Sequence, residues 1–139
     1  MKRILVDTNV ILDVLLDRQP HAAASSLVWR YVETGAIEGR IAAHSVTTLH
    51  YLVQKARGAA AAKRTVAILL SVFGVAAVDI SVLSDALSVG LHDFEDAVTA
   101  AAAAADRCDW IVSRDLRGFR NTAVPCITPE ALGPLLDTE

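Results

Sequence analysis

Five short apolar runs, most of them separated by long stretches of helical periodicity, constrain this chain more than any other feature. The first, Arg3-Ile4-Leu5-Val6, is nearly all apolar and suits a strand buried on both faces of a parallel sheet. Ile41-Ala42-Ala43, Val75-Ala76-Ala77-Val78, Trp110-Ile111-Val112 and Val124-Pro125-Cys126-Ile127 repeat the pattern. Pro125 cannot donate to a ladder, which places the last run at a sheet edge. Helices are expected over Ala22 to Thr34, His44 to Arg57, Ala59 to Val72, Val82 to Val89 and Asp93 to Asp106. Strand and helix alternate, so the fold class is α/β with a central parallel sheet. Gly58 separates two helices, and Gly35 and Gly39 bracket a turn before the second strand. The alanine-rich stretches Ala59 to Ala62 and Ala100 to Ala105 read as closely packed helix rather than low complexity.

With 139 residues, one domain spanning 1–139 is expected, without linker or internal repeat. Hydrophobic residues at 53% against 21% charged exclude disorder. No apolar stretch reaches the roughly 18 residues of a membrane span. Asp7 and Asn9 break the first apolar run too early for a signal-peptide core, so a cytoplasmic location is expected. Cys108 and Cys126 lack metal-finger spacing and are expected as buried thiols in a reducing compartment. The net charge of −3 argues against a broad basic face for nucleic acid, which leaves only a local patch for that purpose.

Acidic residues stand where two of the runs end. Asp7 follows the first directly, and ligand-binding side chains collect at the carboxyl ends of parallel strands. It could equally cap a helix beginning at Thr8-Asn9, with Val10, Ile11, Val14 and Leu15 as its apolar face. Asp115 is separated from Trp110-Ile111-Val112 only by Ser113 and Arg114, in a polar segment where an aspartate can also be merely solvated. Asp93 and Asp96, three apart, share one helical face, while Phe94, Ala97, Val98 and Ala101 form the apolar stripe. Asp93 could serve only as a cap, a role that suits Asp96 less well. Clustered carboxylates repel unless a cation neutralises them or their pKa values rise, and hard oxygen ligands suit magnesium or manganese.

The segment Leu5-Val6-Asp7-Thr8-Asn9-Val10-Ile11-Leu12-Asp13 resembles the opening of PIN domains, where an aspartate ends the first strand and Thr or Ser, then Asn, follow. Asp93-Phe94-Glu95-Asp96-Ala97 and Trp110-Ile111-Val112-Ser113-Arg114-Asp115 resemble the two later acidic motifs of that family. The likeness runs from about Met1 to Thr128, and three weak motifs in register make it specific. It implies a PIN-like fold, a central parallel sheet flanked by helices on both sides. By the same motifs Asp7 and Asp96 would be the principal metal ligands, with Asp115 binding directly or through water. The activity implied is hydrolysis of RNA by metal-activated water. A toxin-type member would be restrained by a cognate antitoxin and would form a homodimer.

One position departs from that pattern. Many active PIN domains carry a glutamate where Ser45-Val46-Thr47-Thr48-Leu49-His50-Tyr51-Leu52 places Tyr51. Asp93 is the expected replacement for its charge, and a non-cleaving RNA-binding or regulatory protein is the alternative outcome. Arg114, Arg117 and Arg120 flank Asp115 and are expected to touch phosphate, whereas Lys55, Arg57, Lys63 and Arg64 read as a solvated face. His21, His44, His50 and His92 lack metal-ligand spacing, although His44 could border the site. Trp29 and Tyr31 are expected in the core or an interface rather than as stacking platforms for bases. A phosphoacceptor signalling domain would need paired acids after the first strand and a lysine after the last; Asp7 is unaccompanied, and Thr128-Pro129-Glu130 follows Ile127.

Overall fold

The computed structural model describes residues 1–138. Strands β1 (Arg3–Val6), β2 (Glu38–Ala42), β3 (Gly74–Ala76), β4 (Trp110–Val112) and β5 (Cys126–Ile127) form one sheet in the order β3-β2-β1-β4-β5, every pair parallel. Helices α1 (Thr8–Leu15), α2 (Ala22–Glu33), α3 (Ala43–Arg57), α4 (Ala59–Val72), α5 (Ile80–Ala86), α6 (Phe94–Ala105) and α7 (Pro129–Asp137) connect and cover the strands. The sheet separates two cores because successive strand residues face opposite ways. Ile4 and Val6 of β1 pack with Ile11, Val28, Leu49 and Leu69, from α1 to α4, whereas Leu5 between them packs with α5 and α6. Helices thus flank both faces, as the family resemblance implied.

The alanines of α6 have a plain packing role. Ala97 and Ala100 to Ala103 are all buried, so small side chains let this helix lie close against the sheet. Trp29 meets Phe73 edge-on with ring centroids 5.1 Å apart, and both Trp29 and Tyr31 pack on the larger core. Gly58, at φ +90°, makes the break between α3 and α4.

Several boundaries differ from expectation. Gly39 belongs to β2 rather than to the preceding turn, and pairs with Ile4. A Cβ there would lie 2.5 Å from Cγ2 of Val32, so a glycine is what lets α2 close on this strand. Gly39→Ala is expected to lower stability by about 1–3 kcal/mol through overpacking. Chemical denaturation checks this, and an unchanged midpoint would contradict the contact. Helix α5 starts at Ile80, earlier than periodicity suggested, because the Asp79 side chain accepts from Val82 N–H at 3.0 Å and caps it. The strand expected to end at Val78 stops at Ala76, and that expected from Val124 is confined to Cys126–Ile127 at the edge. Both cysteines are free; Cys108 is buried but Cys126 only half so. Among the described residues no helix is long and apolar enough to cross a membrane.

Candidate active site

The strand order reverses its direction of growth at β1, with β2 and β3 added on one side and β4 and β5 on the other. Such a switch point opens a crevice at the carboxyl ends of the two central strands. Asp7 occupies it. Its N–H donates to the Val112 carbonyl at 2.9 Å, continuing the ladder past Val6, while its extended backbone makes it the N-cap of α1. The two readings open for Asp7 are therefore compatible: one carboxylate oxygen accepts from Thr8 N–H at 2.9 Å, and the other accepts from Ser113 Oγ at 2.8 Å. Only 7% of Asp7 is exposed. Burial pushes its pKa up, the two hydrogen bonds oppose this, and nearby Asp115 and Glu95 push it further.

Ser113, just beyond β4, organises the opposite wall. Its buried hydroxyl also accepts from Asp115 N–H at 3.0 Å and from Asn9 Nδ2 at 3.2 Å, while Asn9 Oδ1 accepts from Arg114 N–H at 3.2 Å. These bonds tie the start of α1 to the segment after β4. The motifs contain Asn9 and Ser113 but do not reveal this work; for Ser113 the available signal was a polar residue directly after an apolar run.

Asp96 enters from α6. Asp93 is the N-cap of that helix, accepting from Asp96 N–H at 3.0 Å, which is the cap role considered for it. The Asp96 carboxyl is pushed up to about 7, first by burial and then by the charges of Asp7, Asp93, Asp115 and Glu95. Its carboxylate converges with that of Asp115 at Gly118, in the 3-10 turn Arg117–Phe119. A Cβ on Gly118 would run into Asp115 Oδ2 and stand 3.1 Å from Asp96 Oδ2. Gly118 N–H donates to Asp115 Oδ1 at 3.0 Å. Asp93, Asp96 and Asp115 line a groove of about 670 Å³ together with His92, Arg117 and Arg120.

Tyr51 is 62% exposed on α3 and does not line this groove. Nearby on the same helix, Thr48 Oγ1 donates to Glu95 Oε1 at 3.4 Å. Glu95 thus adds charge beside both Asp7 and Asp96, whereas Asp93 bears chiefly on Asp96. Sequence reasoning passed over Glu95. His44 does border the region: its Nε2 lies 3.3 Å from the Glu95 carbonyl and 3.3 Å from Thr99 Oγ1, and its buried Nδ1 has no partner among the described residues. Arg114 departs from expectation, because its guanidinium faces the buried Asp13 instead of the groove. Lys55, Arg57, Lys63 and Arg64 are exposed, as expected.

Among the described residues, no three or more His, Cys, Asp or Glu side chains stand as a ready metal cage. Magnesium needs no such cage, since one or two carboxylates and several waters suffice. A buried Asp7, an Asp96 resisting ionisation and a Gly118 that leaves room between carboxylates suit a hydrated hard cation.

A sequence profile of the PIN domain matches residues 3–117. The chain belongs to the PIN domain family. No curated protein sequence matches it. Solved structures do. The DNA-bound VapBC of Salmonella typhimurium aligns with a TM-score of 0.70 at 14% identity, covering 93% of this chain and 99% of that one. A toxin-antitoxin complex from Klebsiella pneumoniae gives 0.70 at 17%, covering 91% and 97%. VapC20 of Mycobacterium tuberculosis, a sarcin-ricin loop cleaving toxin, gives 0.64 at 18%, covering 78% and 86%. At these identities the likeness is one of fold. This PIN domain shares with them a whole architecture, not only the motif-bearing strands.

Proposed function

We propose that this PIN domain is a metal-dependent endoribonuclease, the toxin of a toxin-antitoxin pair, with Asp7, Asp96 and Asp115 as its catalytic and metal-binding acids. The observation that carries the reading is their gathering about the switch point: Asp96 and Asp115 both face Gly118, and burial, then the charges of Asp7 and the other nearby acids, drives Asp96 toward neutrality. Asp7 and Asp96 would hold magnesium or manganese, Asp115 would join them directly or through water, and Glu95 and Asp93 would add charge. A bound cation supplies Lewis acidity that polarises the phosphate and eases ionisation of the attacking water.

The protein's own contribution is placement. Ser113 and the Thr8 N–H fix both oxygens of Asp7, so its orientation costs no rearrangement when substrate arrives. Gly118 N–H holds Asp115 at the groove. Arg117 and Arg120 line the same groove and supply phosphate contacts that register the RNA without reading its sequence. Water adds to phosphorus, the bond from phosphorus to one ribose oxygen breaks, and that oxygen takes a proton. A cognate antitoxin covering the groove, homodimer formation and a cytoplasmic setting complete the proposal. The toxin-antitoxin complex of the same fold from Klebsiella pneumoniae supports the partner.

Purified protein is expected to cleave RNA internally with magnesium or manganese and to stop when a chelator removes the metal. Cleavage indifferent to the chelator would overturn the proposal. Tyr51 in place of the usual acid favours a second reading, an RNA-binding protein that no longer cuts. RNA retention without cleavage at any metal concentration would select it.

A further inference from the structure

Asp13 lies outside the groove yet has the least exposed carboxylate described, at 0%. Its Oδ2 accepts from Arg114 Nε at 2.8 Å and from Ser25 Oγ at 3.0 Å. Its Oδ1 accepts from Arg114 Nη2 at 3.2 Å and from Arg18 Nε at 3.1 Å. Full pairing explains how a charge tolerates this burial. Two guanidiniums share one carboxylate, however, so the cluster carries surplus positive charge, and Arg114 is the immediate neighbour of Asp115.

The backbone of this segment is held by other bonds. Asn9 Oδ1 takes Arg114 N–H, Ser113 Oγ takes Asp115 N–H, and Asp115 Oδ1 takes Gly118 N–H. The Asp13 carboxylate therefore decides chiefly where the Arg114 guanidinium goes. Arg117 and Arg120 line the groove beside Asp96 and Asp115, and Arg114 does not. We infer that Asp13 is a positioning residue that restrains Arg114, keeping a permanent cation out of the carboxylate pocket so that a divalent ion can enter it. An arginine released beside Asp115 would pair with the site's own acids and compete with metal. The inference rests on the metal-binding reading above.

Calorimetric titration of the full chain with Mn²⁺ alone, in four proteins, tests it. The native protein is expected to bind. Asp13→Asn should weaken binding about tenfold, Arg114→Met should bind within about threefold of native, and the double variant should recover to the same level. Were Asp13 only a structural anchor, Arg114→Met and the double variant would lose affinity as Asp13→Asn does, and that result overturns the inference. So does native affinity in Asp13→Asn. If Asp13→Asn does not fold, as circular dichroism would reveal, Arg114→Met decides alone: retained affinity supports the restraint, and tenfold loss refutes it. A native protein that binds no Mn²⁺ would instead refute the metal site itself.

Discussion

Asp7→Asn is expected to lower metal-dependent RNA cleavage about a thousandfold, the scale on which removal of a group acting at the reacting phosphate is felt. The substitution keeps the side-chain shape and an acceptor oxygen for the Thr8 N–H, but removes the charge that would hold the cation. Its effect on folding should run the other way. Burial and the neighbouring Asp115 and Glu95 raise the pKa of Asp7, so the native fold carries that charge at a cost. Metal-free Asp7→Asn should therefore melt no lower than the native chain. Cleavage assays and thermal melts on the same preparation separate the two effects. Activity above about a tenth of native would remove Asp7 from the site, because no loss of fold would mask it.

The second large effect is on pH. The Asp96 carboxyl is raised from 3.8 to about 7, so the folded chain prefers it protonated. Stability from that preference is fully present below the unfolded value near 3.8 and is lost as pH rises through about 7. Metal requires the ionised form. Mn²⁺ affinity should then climb by up to about tenfold per pH unit below 7 and flatten above it, with Asp96→Asn binding weakly throughout. Melting of the metal-free protein should show the opposite trend: higher temperatures toward pH 4 than Asp96 alone would permit near pH 8, and a shallower slope in Asp96→Asn. Titrations between roughly pH 5.5 and 8 give the first curve, and an affinity flat across that range would dispose of Asp96 as a ligand.

Much of this was legible in the chain because buried parallel strands advertise themselves. Ile4, Leu5 and Val6 face two cores and so cannot afford a polar residue, which makes Asp7 conspicuous at their end. The same contrast exposed Asp115 after β4. Strand β2 was harder to delimit, since Glu38, Gly39 and Arg40 are ladder residues whose side chains make ion pairs or leave room for Val32 rather than fill a core. Helix α7 carries little signal in the sequence: Gly133 and Pro134 weaken its propensity, while Pro129 at its first turn, buried Leu132 and packing against Tyr31 of α2 sustain it. In the candidate site, motif spacing pointed to Asp7, Asp96 and Asp115, which the fold brings near one another. It could not say which way Arg114 would turn, because its partner Asp13 sits 101 residues earlier. Nor could spacing show that Thr48 meets Glu95, 47 residues apart, since both contacts exist only once helices pack.

The bond from Ser113 to Asp7 spans 106 residues. Asp7 and the Ser113 that fixes it stand on opposite sides of the β1–β4 seam, and β1 at the centre of the sheet is paired on that flank only by β4. Without β4 beside it, Asp7 would lose both the Ser113 hydroxyl and the Val112 carbonyl. The pocket exists only while the sheet is closed across that flank, so opening of the β4 edge dismantles it. Whatever chemistry the pocket performs is tied by topology to an intact seam between β1 and β4.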